Sequence, residues 1–509
     1  MSKRTSVSHI SQWLPVLVLL IYAALRLYHL MTLPIFLDEA SHITRAQWVW
    51  QDKPLYTLTT GKALAPYVMS LFWPFVGGPF IGRYVVVLFG LVGIAACYAV
   101  GRDLHSRQAG LLGMALWILC PQIMFLERMA LVDTTFSAMG MLTLWFAIRM
   151  IRRRQIHWAV LCGIGLTLAI LAKLTALVYI PIPAMAAILI ASRNIRWTTR
   201  VRQAIIAYVI CALLLVAPFL YIRSSGEDPT GEKYGLTSTN TQTLQSRIEA
   251  NTSKLIDAER TYFSDGMLLI MGIAGLAALI LAWRSALILL ALTFAPLLAI
   301  VATAVSLWLR YAVPAAPFAL LLTAIGLVAF ANRLRKWHFS PLVSILPWAL
   351  AVLWAVFVAI PFQITAFTNP AALRLPQSDR FEYIDWVPSG FGIQEAVRYL
   401  LRMTPQPTTV IVTAANCDGA RLYVPYGSTL TLICPGVDWG GYNDPIIQDI
   451  QRRANRDGQL YVLGEDAPIV RESDLPEPRT VVERFPRPGP YYAVKLYLIQ
   501  GEATGLASP

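Results

Sequence analysis

Ionisable side chains stand at the ends of long apolar runs in this sequence, where they are candidates for chemistry. Asp38 and Glu39 follow the first run directly, and Asp133 begins a later one. Cations occupy comparable places, namely Lys62, Arg128, Lys173 and Arg310. An ionised side chain costs roughly 2.5–3.5 kcal/mol at the centre of a membrane helix, so charges within or beside such runs indicate a functional site. Carboxylates can act as bases, and cations can bind an anionic group such as phosphate.

Each of these residues also has a purely structural interpretation. Asp38 could cap a short interfacial helix that runs to about Trp50, with Glu39 favoured by the dipole of its first turn. Asp133 could cap the helix that follows it, and each cation could extend its charge towards lipid phosphates. These alternatives explain the residues singly. They explain poorly why several cations and acids gather at one membrane face.

The elements that carry these residues are predicted to be membrane helices. The chain has 509 residues, of which 56% are hydrophobic and 14% charged, whereas about a quarter of an average soluble protein is charged. This composition excludes a soluble globular enzyme. A membrane helix needs roughly 20 apolar residues. We predict about eleven spans, near 12–32, 82–100, 109–125, 132–150, 157–173, 174–191, 204–222, 265–283, 286–306, 312–330 and 342–362.

The distribution of basic residues predicts the orientation. With the N-terminus inside, the short inside loops are rich in Lys and Arg and hold a single acid, Asp103, as cytoplasmic loops do. The net charge of +13 therefore mostly reflects the orientation of the protein in the membrane. Clusters such as Arg152 to Arg154 lie in turns too short for a nucleic-acid groove. We predict a cytoplasmic N-terminus, a bacterial plasma membrane and a C-terminal region on the exported face.

The exported side carries the longer non-membrane segments, which are the outer loops 33–81 and 223–264 and everything after residue 362. We predict a membrane domain over 1–362 and a small α/β domain over 363–509, because charged residues, prolines and alternating segments replace apolar runs in the tail. The predicted strands are 408–414, 459–465 and 491–499, and the predicted helices are 392–403 and 445–456. The tail has no recognisable catalytic motif. It could be a structural cap, or a lectin-like or acceptor-guiding domain.

The cysteines leave one pairing open. Cys417 and Cys434 lie outside the predicted spans, on the side where the milieu favours disulfides. A bridge between them and two free thiols are both compatible with the sequence. The spacing of His and Cys residues does not suggest a zinc site.

Several segments, taken together, carry a resemblance to a known family. They are Leu37-Asp38-Glu39-Ala40, Gly61 to Tyr67, Glu127-Arg128 to Asp133, Ala172 to Thr175, and Arg310-Tyr311 to Pro317. In this order they resemble the GT-C fold glycosyltransferases. More narrowly, they are similar to the protein O-mannosyltransferase and aminoarabinose transferase group, glycosyltransferase family 39 and its relatives. The resemblance extends over roughly residues 12 to 330.

This resemblance implies a multi-pass helical enzyme that transfers a sugar from a polyprenyl phosphate carrier to an acceptor on the exported face. Asp38 matches the catalytic acidic position of the family, where it would deprotonate an acceptor hydroxyl. Asp133 matches a second acidic position, and Glu39 could position the acceptor. Lys62 resembles a lysine that holds the donor phosphate in the aminoarabinose enzymes, although Gly61 stands where those enzymes have an acid.

The leaving phosphate of such a reaction needs compensating positive charge more than it needs an acid. The predicted phosphate-binding residues are Lys62, Arg128, Lys173 and Arg310. A single displacement at the anomeric carbon would invert its configuration. A divalent metal ion is left open, with Glu39 and Asp133 as its candidate ligands.

Two neighbouring residues and two rival functions complete the prediction. His42 could orient Asp38 from one turn later or be a surface histidine, and Arg26 could face the cavity or the lipid. A transporter or lipid flippase would use the same charges to line a permeation path. An oligosaccharyl transferase or ligase would share the fold. Neither the sugar nor the class of acceptor, whether protein, lipid or glycan, follows from the sequence.

Overall fold

The computed structural model describes residues 9–51, 53–72, 78–192, 194–226, 243–305, 307–336, 341–403, 407–435, 444–465, 470–489 and 493–501. Lys3 and Arg4, which contribute to the predicted orientation, lie outside these ranges. So do residues 227–242 of the predicted outer loop 223–264 and the first residues of the predicted strand 491–499.

The first half of the chain is built from apolar helices, with three shorter helices after the first one. Their bounds are α1 His9–Leu27, α2 Leu37–Trp48, α3 Tyr56–Thr59, α4 Leu64–Ser70, α5 Pro79–Leu104, α6 Arg107–Leu119, α7 Pro121–Glu127, α8 Val132–Arg153 and α9 Ile156–Ala172. Helices α6 and α7 meet at an angle of 65°. Cys120 is extended at this break and Pro121 follows it, since a residue before proline avoids the helical conformation.

The second half completes the membrane domain. It contains a 3₁₀ turn at Leu174–Tyr179, α10 Ile182–Met185, a π turn at Ala186–Ile190, α11 Trp197–Ser225, α12 Leu244–Leu281, α13 Trp283–Thr303, a 3₁₀ turn at Leu309–Ala315, α14 Ala316–Lys336, α15 Pro341–Trp354, a π turn at Ala355–Ala359 and α16 Ile360–Thr368. In the span Leu309–Lys336, 89% of an apolar stretch of 18 residues is buried inside the protein, whereas only 11% of the corresponding stretch in Trp197–Ser225 is buried. The former is therefore central in the bundle, and the latter offers most of its surface to lipid.

The membrane class is confirmed, but the number of spans is not. Within the described residues, seven helices are long and apolar enough to cross a bilayer, or eight if α6 and α7 count as one bent span. The segments Gln12–Leu27, Ile156–Ala172 and Leu174–Ile190 are apolar but shorter. Every predicted run overlaps one of these helices. The predicted count of eleven is not established, because three of the segments fall below the length of a full crossing.

The tail folds as a mixed sheet with helices beside it, as the sequence predicts. After short turns at Pro370–Ala372, α17 Gln377–Arg380, Phe381–Asp385 and Val387–Ser389, it contains α18 Ile393–Met403, β1 Thr408–Val412, α19 Cys417–Leu422, β2 Leu430–Ile433, α20 Asp444–Asp457, β3 Gln459–Glu465, a turn at Glu472–Asp474, β4 Arg479–Phe485 and β5 Val494–Gln500. The strand order is β2-β1-β3-β5-β4. Strands β1, β2 and β3 are parallel, and β5 is antiparallel to β3 and β4.

Two strands were not predicted, and the domain boundary at 362 stays a prediction. Strand β2 alternates but has only four residues, too few for a distinct pattern, and β4 is charged and largely exposed, without the apolar alternation of a half-buried strand. Helix α16 continues to Thr368. Tyr383 and Ile384 lie in the same hydrophobic cluster as the membrane helices, so the connecting segment packs against the bundle.

A close helix crossing gives the first testable prediction. A Cβ atom added at Gly326 of α14 would lie 1.8 Å from the backbone oxygen of Ala274 in α12. Since backbone cannot move aside as a side chain does, we expect Gly326→Ala to destabilise the bundle by about 1–3 kcal/mol. The measurement is the thermal unfolding midpoint of the purified protein in detergent.

Gly272→Ala in α12 is the matched control, because a Cβ atom there meets nothing within 4 Å. Equal midpoints for the two variants would contradict the close crossing of α12 and α14.

Candidate active site

A cavity of about 550 Å³ lies at one end of the helix bundle. Asp38, Lys62, Lys173 and Arg310 all line it. Its opposite wall is apolar and is formed by the 3₁₀ turn after Lys173 and the end of α13, including Leu177, Val178, Pro296, Ala299 and Ile300. The structure thus brings together four of the seven residues that the sequence places in the site, beside a surface suited to a hydrocarbon chain.

Asp38 faces the cavity from the first turn of α2. Phe36, the residue that precedes the helix, is extended and its backbone N–H donates to the side chain of Glu39. This interaction fixes the start of the helix. The side chain of Asp38 is 28% exposed, and its Oδ2 atom lies 2.7 Å from Nη2 of Arg310. Asp38 is therefore the carboxylate of the predicted set that remains open to the cavity.

Arg310 bridges two carboxylates. Its Nη2 atom contacts Asp38, and its Nη1 atom lies 3.4 Å from Oε1 of Glu382. Burial favours the neutral form of Asp38, but Arg310 and then Lys62 outweigh this effect and hold the pKa of Asp38 well below its ordinary value. Asp38 is therefore ionised across the physiological range while Arg310 remains beside it.

Backbone pairing brings Lys62 and Lys173 to the same edge of the cavity. The N–H of Ala63 donates to the carbonyl of Leu171 at 2.8 Å, and the N–H of Leu174 donates to the carbonyl of Gly61 at 3.0 Å. Gly61 adopts φ +63°, a conformation that favours glycine. These bonds place residues 62 and 173 side by side although they are far apart in sequence.

Asp133 holds Lys173 in place. Its Oδ1 atom accepts a hydrogen bond from Nζ of Lys173, and both side chains are almost fully buried. The ammonium group of Lys173 also lies 4.1 Å from the centre of the Tyr311 ring, a cation–π contact. Lys173 lines the cavity, whereas Asp133 lies behind it. The structure thus makes Asp133 the partner of a cavity cation.

Glu39 is fully buried and has no cavity-facing atom, which does not support the predicted catalytic role. Its two oxygens accept bonds from Nε and Nη2 of Arg83, both at 2.8 Å. One of them also accepts the N–H of Ala130 at 2.7 Å. Arg83 donates further to the carbonyls of Leu30, Leu33 and Pro34. Glu39 therefore fixes the chain around the site.

Arg128 likewise lies outside the cavity lining, which does not support its predicted contact with phosphate. It is 1% exposed, and its guanidinium donates to the carbonyls of Tyr28 and His29 at the end of the first span. Arg26 pairs with Glu127 at 2.8 Å, both buried. These arginines bind groups inside the bundle instead of facing lipid, because each unpaired polar group in a membrane costs several kcal/mol of free energy.

The residues predicted as metal ligands do not fit a metal site. The carboxylate of Glu39 forms an ion pair with Arg83, and the carboxylate of Asp133 forms one with Lys173. Among the residues described by the structure, no three His, Cys, Asp or Glu side chains lie close enough to hold an ion. Cys417 and Cys434 form a disulfide, with their Cα atoms 5.8 Å apart.

Two cavity residues, Ser41 and Arg45, escaped the sequence prediction. Ser41, His42 and Arg45 line the cavity together with Asp38. Their spacing of three, four and seven residues from Asp38 places them on one face of α2, so helical periodicity could have found them. His42 faces the cavity, as one of its alternatives proposed, and burial, followed by Lys62 and Arg45, lowers its pKa well below the ordinary value.

Glu382 was missed because it belongs to the tail and has no sequence motif. It is 3% exposed, and burial raises its pKa to about 8 despite the opposing effect of Arg310. Burial also raises the pKa of nearby Asp379 to about 7. Glu382 is therefore mostly neutral at pH 7, so Asp38 is the main negative charge beside Arg310.

Known structures resemble the fold of this protein over nearly the whole chain. ArnT from Cupriavidus metallidurans bound to undecaprenyl phosphate has a TM-score of 0.62 and 14% identity, with 99% of this chain and 100% of that chain covered. The chain has the GT-C fold. The apo oligosaccharyltransferase of Archaeoglobus fulgidus is similar with a TM-score of 0.54 and 13% identity, over 90% of this chain and 70% of that one. These identities support the likeness in fold alone.

The sequence comparison agrees with the resemblance derived from the motifs, which is confirmed. Residues 62–222 match the family model described as dolichyl-phosphate-mannose-protein mannosyltransferase. This region includes Lys62, Arg128, Asp133 and Lys173. No individually curated protein sequence matches the chain significantly.

The buried role of Glu39 gives a prediction. Glu39→Gln removes the charge partner of Arg83 and leaves a buried cation, so we expect a loss of about 3–5 kcal/mol in stability. The thermal unfolding midpoint in detergent should fall accordingly.

The control for this prediction is Glu477→Gln, whose carboxylate pairs with Arg479 but is 66% exposed. Exposed pairs contribute about 0–1 kcal/mol. A midpoint for Glu39→Gln equal to that of this control would show that Glu39 does not hold the outer segment.

Proposed function

We propose that this protein is a membrane glycosyltransferase that moves a sugar from a polyprenyl phosphate to an acceptor hydroxyl on the exported face. The observation that carries the proposal is the convergence of Asp38, Lys62, Lys173 and Arg310 on one cavity with an apolar wall. This arrangement suits a substrate with a phosphate group and a long hydrocarbon chain. The match to a dolichyl-phosphate-mannose-protein mannosyltransferase model and the fold shared with undecaprenyl-phosphate-bound ArnT support this class of donor.

The donor phosphate would bind first to the cations. Without substrate, Arg310 is held between Asp38 and Glu382. A donor phosphodiester competes with Asp38 for the Nη2 edge of Arg310, since arginine binds phosphate through two parallel hydrogen bonds. Asp38 then loses part of the interaction that lowers its pKa and becomes a better base. The base is thus activated when the donor is present.

Transfer follows as a single displacement. The acceptor oxygen forms a bond to the anomeric carbon while the bond from that carbon to the phosphate oxygen breaks. The hydroxyl proton passes to Asp38, and the polyprenyl phosphate leaves with one more negative charge. Because this charge grows in the transition state, Lys62, Lys173 and Arg310 stabilise the transition state more than the bound donor. Attack from the face opposite the phosphate inverts the configuration.

The proposed placement in the membrane follows the charge distribution. The N-terminus lies in the cytoplasm, and the cavity and the C-terminal sheet lie on the exported face of a bacterial plasma membrane. An oligosaccharyl transferase is the second candidate, because the Archaeoglobus fulgidus enzyme has a similar fold. It would move a preassembled glycan instead of one sugar, so the mass of the bound donor separates the two.

The first test is Asp38→Asn. We expect transfer to fall by about 10²–10⁴-fold, the usual contribution of a positioned general base, while polyprenyl phosphate binding is retained because every cation is intact. Transfer is measured with a lipid extract as donor source. Native mass spectrometry of the detergent-solubilised protein then gives the mass of any lipid that co-purifies with the wild type and the variant.

Asp449→Asn is the matched control, since this carboxylate lies on the outer face of α20 beside Arg453. Turnover by Asp38→Asn at the control rate would eliminate Asp38 as the base. Movement of labelled lipid across vesicles without acceptor, at the same rate in Asp38→Asn, would instead support a flippase.

The second test uses pH. Glu382 faces Arg310, with Asp379, Asp38 and Asp133 as the neighbouring acids. Because the pKa of Glu382 is raised to about 8, the group gains a negative charge as the pH rises through that value. The ionised carboxylate then competes with donor phosphate for Arg310. We expect the donor KM to increase above about pH 8, and Glu382→Gln to abolish this increase.

Glu483→Gln, on the exposed edge of β4, should leave the pH profile unchanged. An alkaline rise in donor KM that persists in Glu382→Gln would assign it to another group.

A further inference from the structure

Ile35, in the segment that leads to the candidate base, is hydrogen-bonded by side chains of the C-terminal domain. Ile35 lies three positions before Asp38 and is fully buried. Its carbonyl accepts a hydrogen bond of 2.7 Å from Nδ2 of Asn416. Its N–H donates to the hydroxyl of Tyr423 at 2.8 Å. Both backbone groups of Ile35 are therefore satisfied by side chains of the sheet domain.

These two side chains flank one short helix that is fastened to the sheet. Asn416 precedes α19, and its Oδ1 atom accepts the N–H of Gly419 at 3.1 Å. The same amide thus caps α19 with its oxygen and holds Ile35 with its nitrogen. Tyr423 follows the last residue of α19. The disulfide from Cys417 to Cys434 ties the start of α19 to the residue after β2.

Two further contacts restrict Ile35 on its other sides. Gly390 has φ +78°, and a Cβ atom there would lie 2.1 Å from the carbonyl oxygen of Ile35. On the membrane side, Nη2 of Arg83 donates to the carbonyl of Pro34 at 3.0 Å. The chain that leads into α2 is therefore fixed between the bundle and the sheet.

We infer that Asn416 and Tyr423 are positioning residues for Asp38, so that the C-terminal sheet forms part of the catalytic apparatus. The inference rests on the proposed function and gives the tail a role other than recognition of the acceptor. Neither residue lines the cavity, so neither touches substrate. They act through the backbone: Ile35 sets the entry into α2, and the first turn of α2 sets the place of Asp38. A displacement of about 1 Å in a catalytic group can cost 10²-fold in rate.

Substitutions at Asn416 separate positioning from folding. Asn416→Asp keeps an oxygen that can cap α19, and aspartate is as good a cap as asparagine. It loses the N–H donor to Ile35 and places a carboxylate against the Ile35 carbonyl. We expect Asn416→Asp to lower kcat per folded protein by about 10–100-fold, and to lower the thermal midpoint as well, because the new carboxylate is buried and faces a carbonyl oxygen. Tyr423→Phe, which keeps the ring, should lower kcat by about 10-fold on the same physical grounds.

The measurements are kcat per folded protein, the Kd for polyprenyl phosphate, and hydrogen exchange of peptides that cover residues 33–40. Donor affinity should stay within about twofold of wild type, because a purely kinetic loss indicates a misplaced reacting group. Exchange in 33–40 should accelerate in both variants, since the backbone groups of Ile35 lose their partners. Arg421→Ala is the control, because Arg421 lies in α19 but bonds to Leu432 within the sheet domain.

The outcomes distinguish this inference from the proposed function. Wild-type protein that transfers no sugar, but whose segment 33–40 is deprotected in Tyr423→Phe, would overturn the function and leave the contact established. Active wild type with unchanged kcat in Asn416→Asp and Tyr423→Phe would overturn the inference. A loss of kcat that disappears once the rate is expressed per folded protein, or an equal loss in Arg421→Ala, would also overturn it, because either result assigns the effect to folding.

Discussion

The buried pair between Glu39 and Arg83 is the interaction on which the candidate site depends. Arg83 occupies the start of α5, and its guanidinium binds both oxygens of Glu39 and the carbonyls of the chain that leaves the first span. An unpaired charge at this depth would be strongly destabilising, so the pair constrains α2 to one position. Asp38 precedes Glu39 by one residue, about 100° away around the helix, and lines the cavity. A buried, paired acid and a cavity-facing acid thus stand next to each other in the sequence.

The two cations Lys173 and Arg310 have different partners in the cavity. Lys173 is neutralised by Asp133 and held over Tyr311, whereas Arg310 is shared between Asp38 and the mostly neutral Glu382. The pair between Lys173 and Asp133 is almost fully buried, whereas the side chain of Asp38 is 28% exposed. In the proposed mechanism, donor phosphate would therefore compete with Asp38 and not with Asp133.

The tail and the helix bundle both contact the segment that leads into α2. Tyr383 and Ile384 pack into the main hydrophobic cluster, Glu382 reaches Arg310, and Asn416 and Tyr423 bind Ile35. These contacts belong to a region in which the sequence shows no catalytic motif. The reason is physical, because a residue that acts through a backbone hydrogen bond needs only a suitable donor or acceptor, and many sequences provide one.

The sequence by itself determined the membrane class, the approximate places of the apolar helices, the α/β character of the tail and the GT-C resemblance. It also located Asp38, Lys62, Lys173 and Arg310, since run length and the position of a charge along the chain are one-dimensional properties. Only the tertiary structure decided the partner of each charge, and hence which acids face the cavity. Glu39, Asp133 and Arg128 resemble Asp38 and Arg310 in sequence context but are bound by groups from distant helices. Their exposure, and with it their chemistry, depends on contacts that no local pattern encodes.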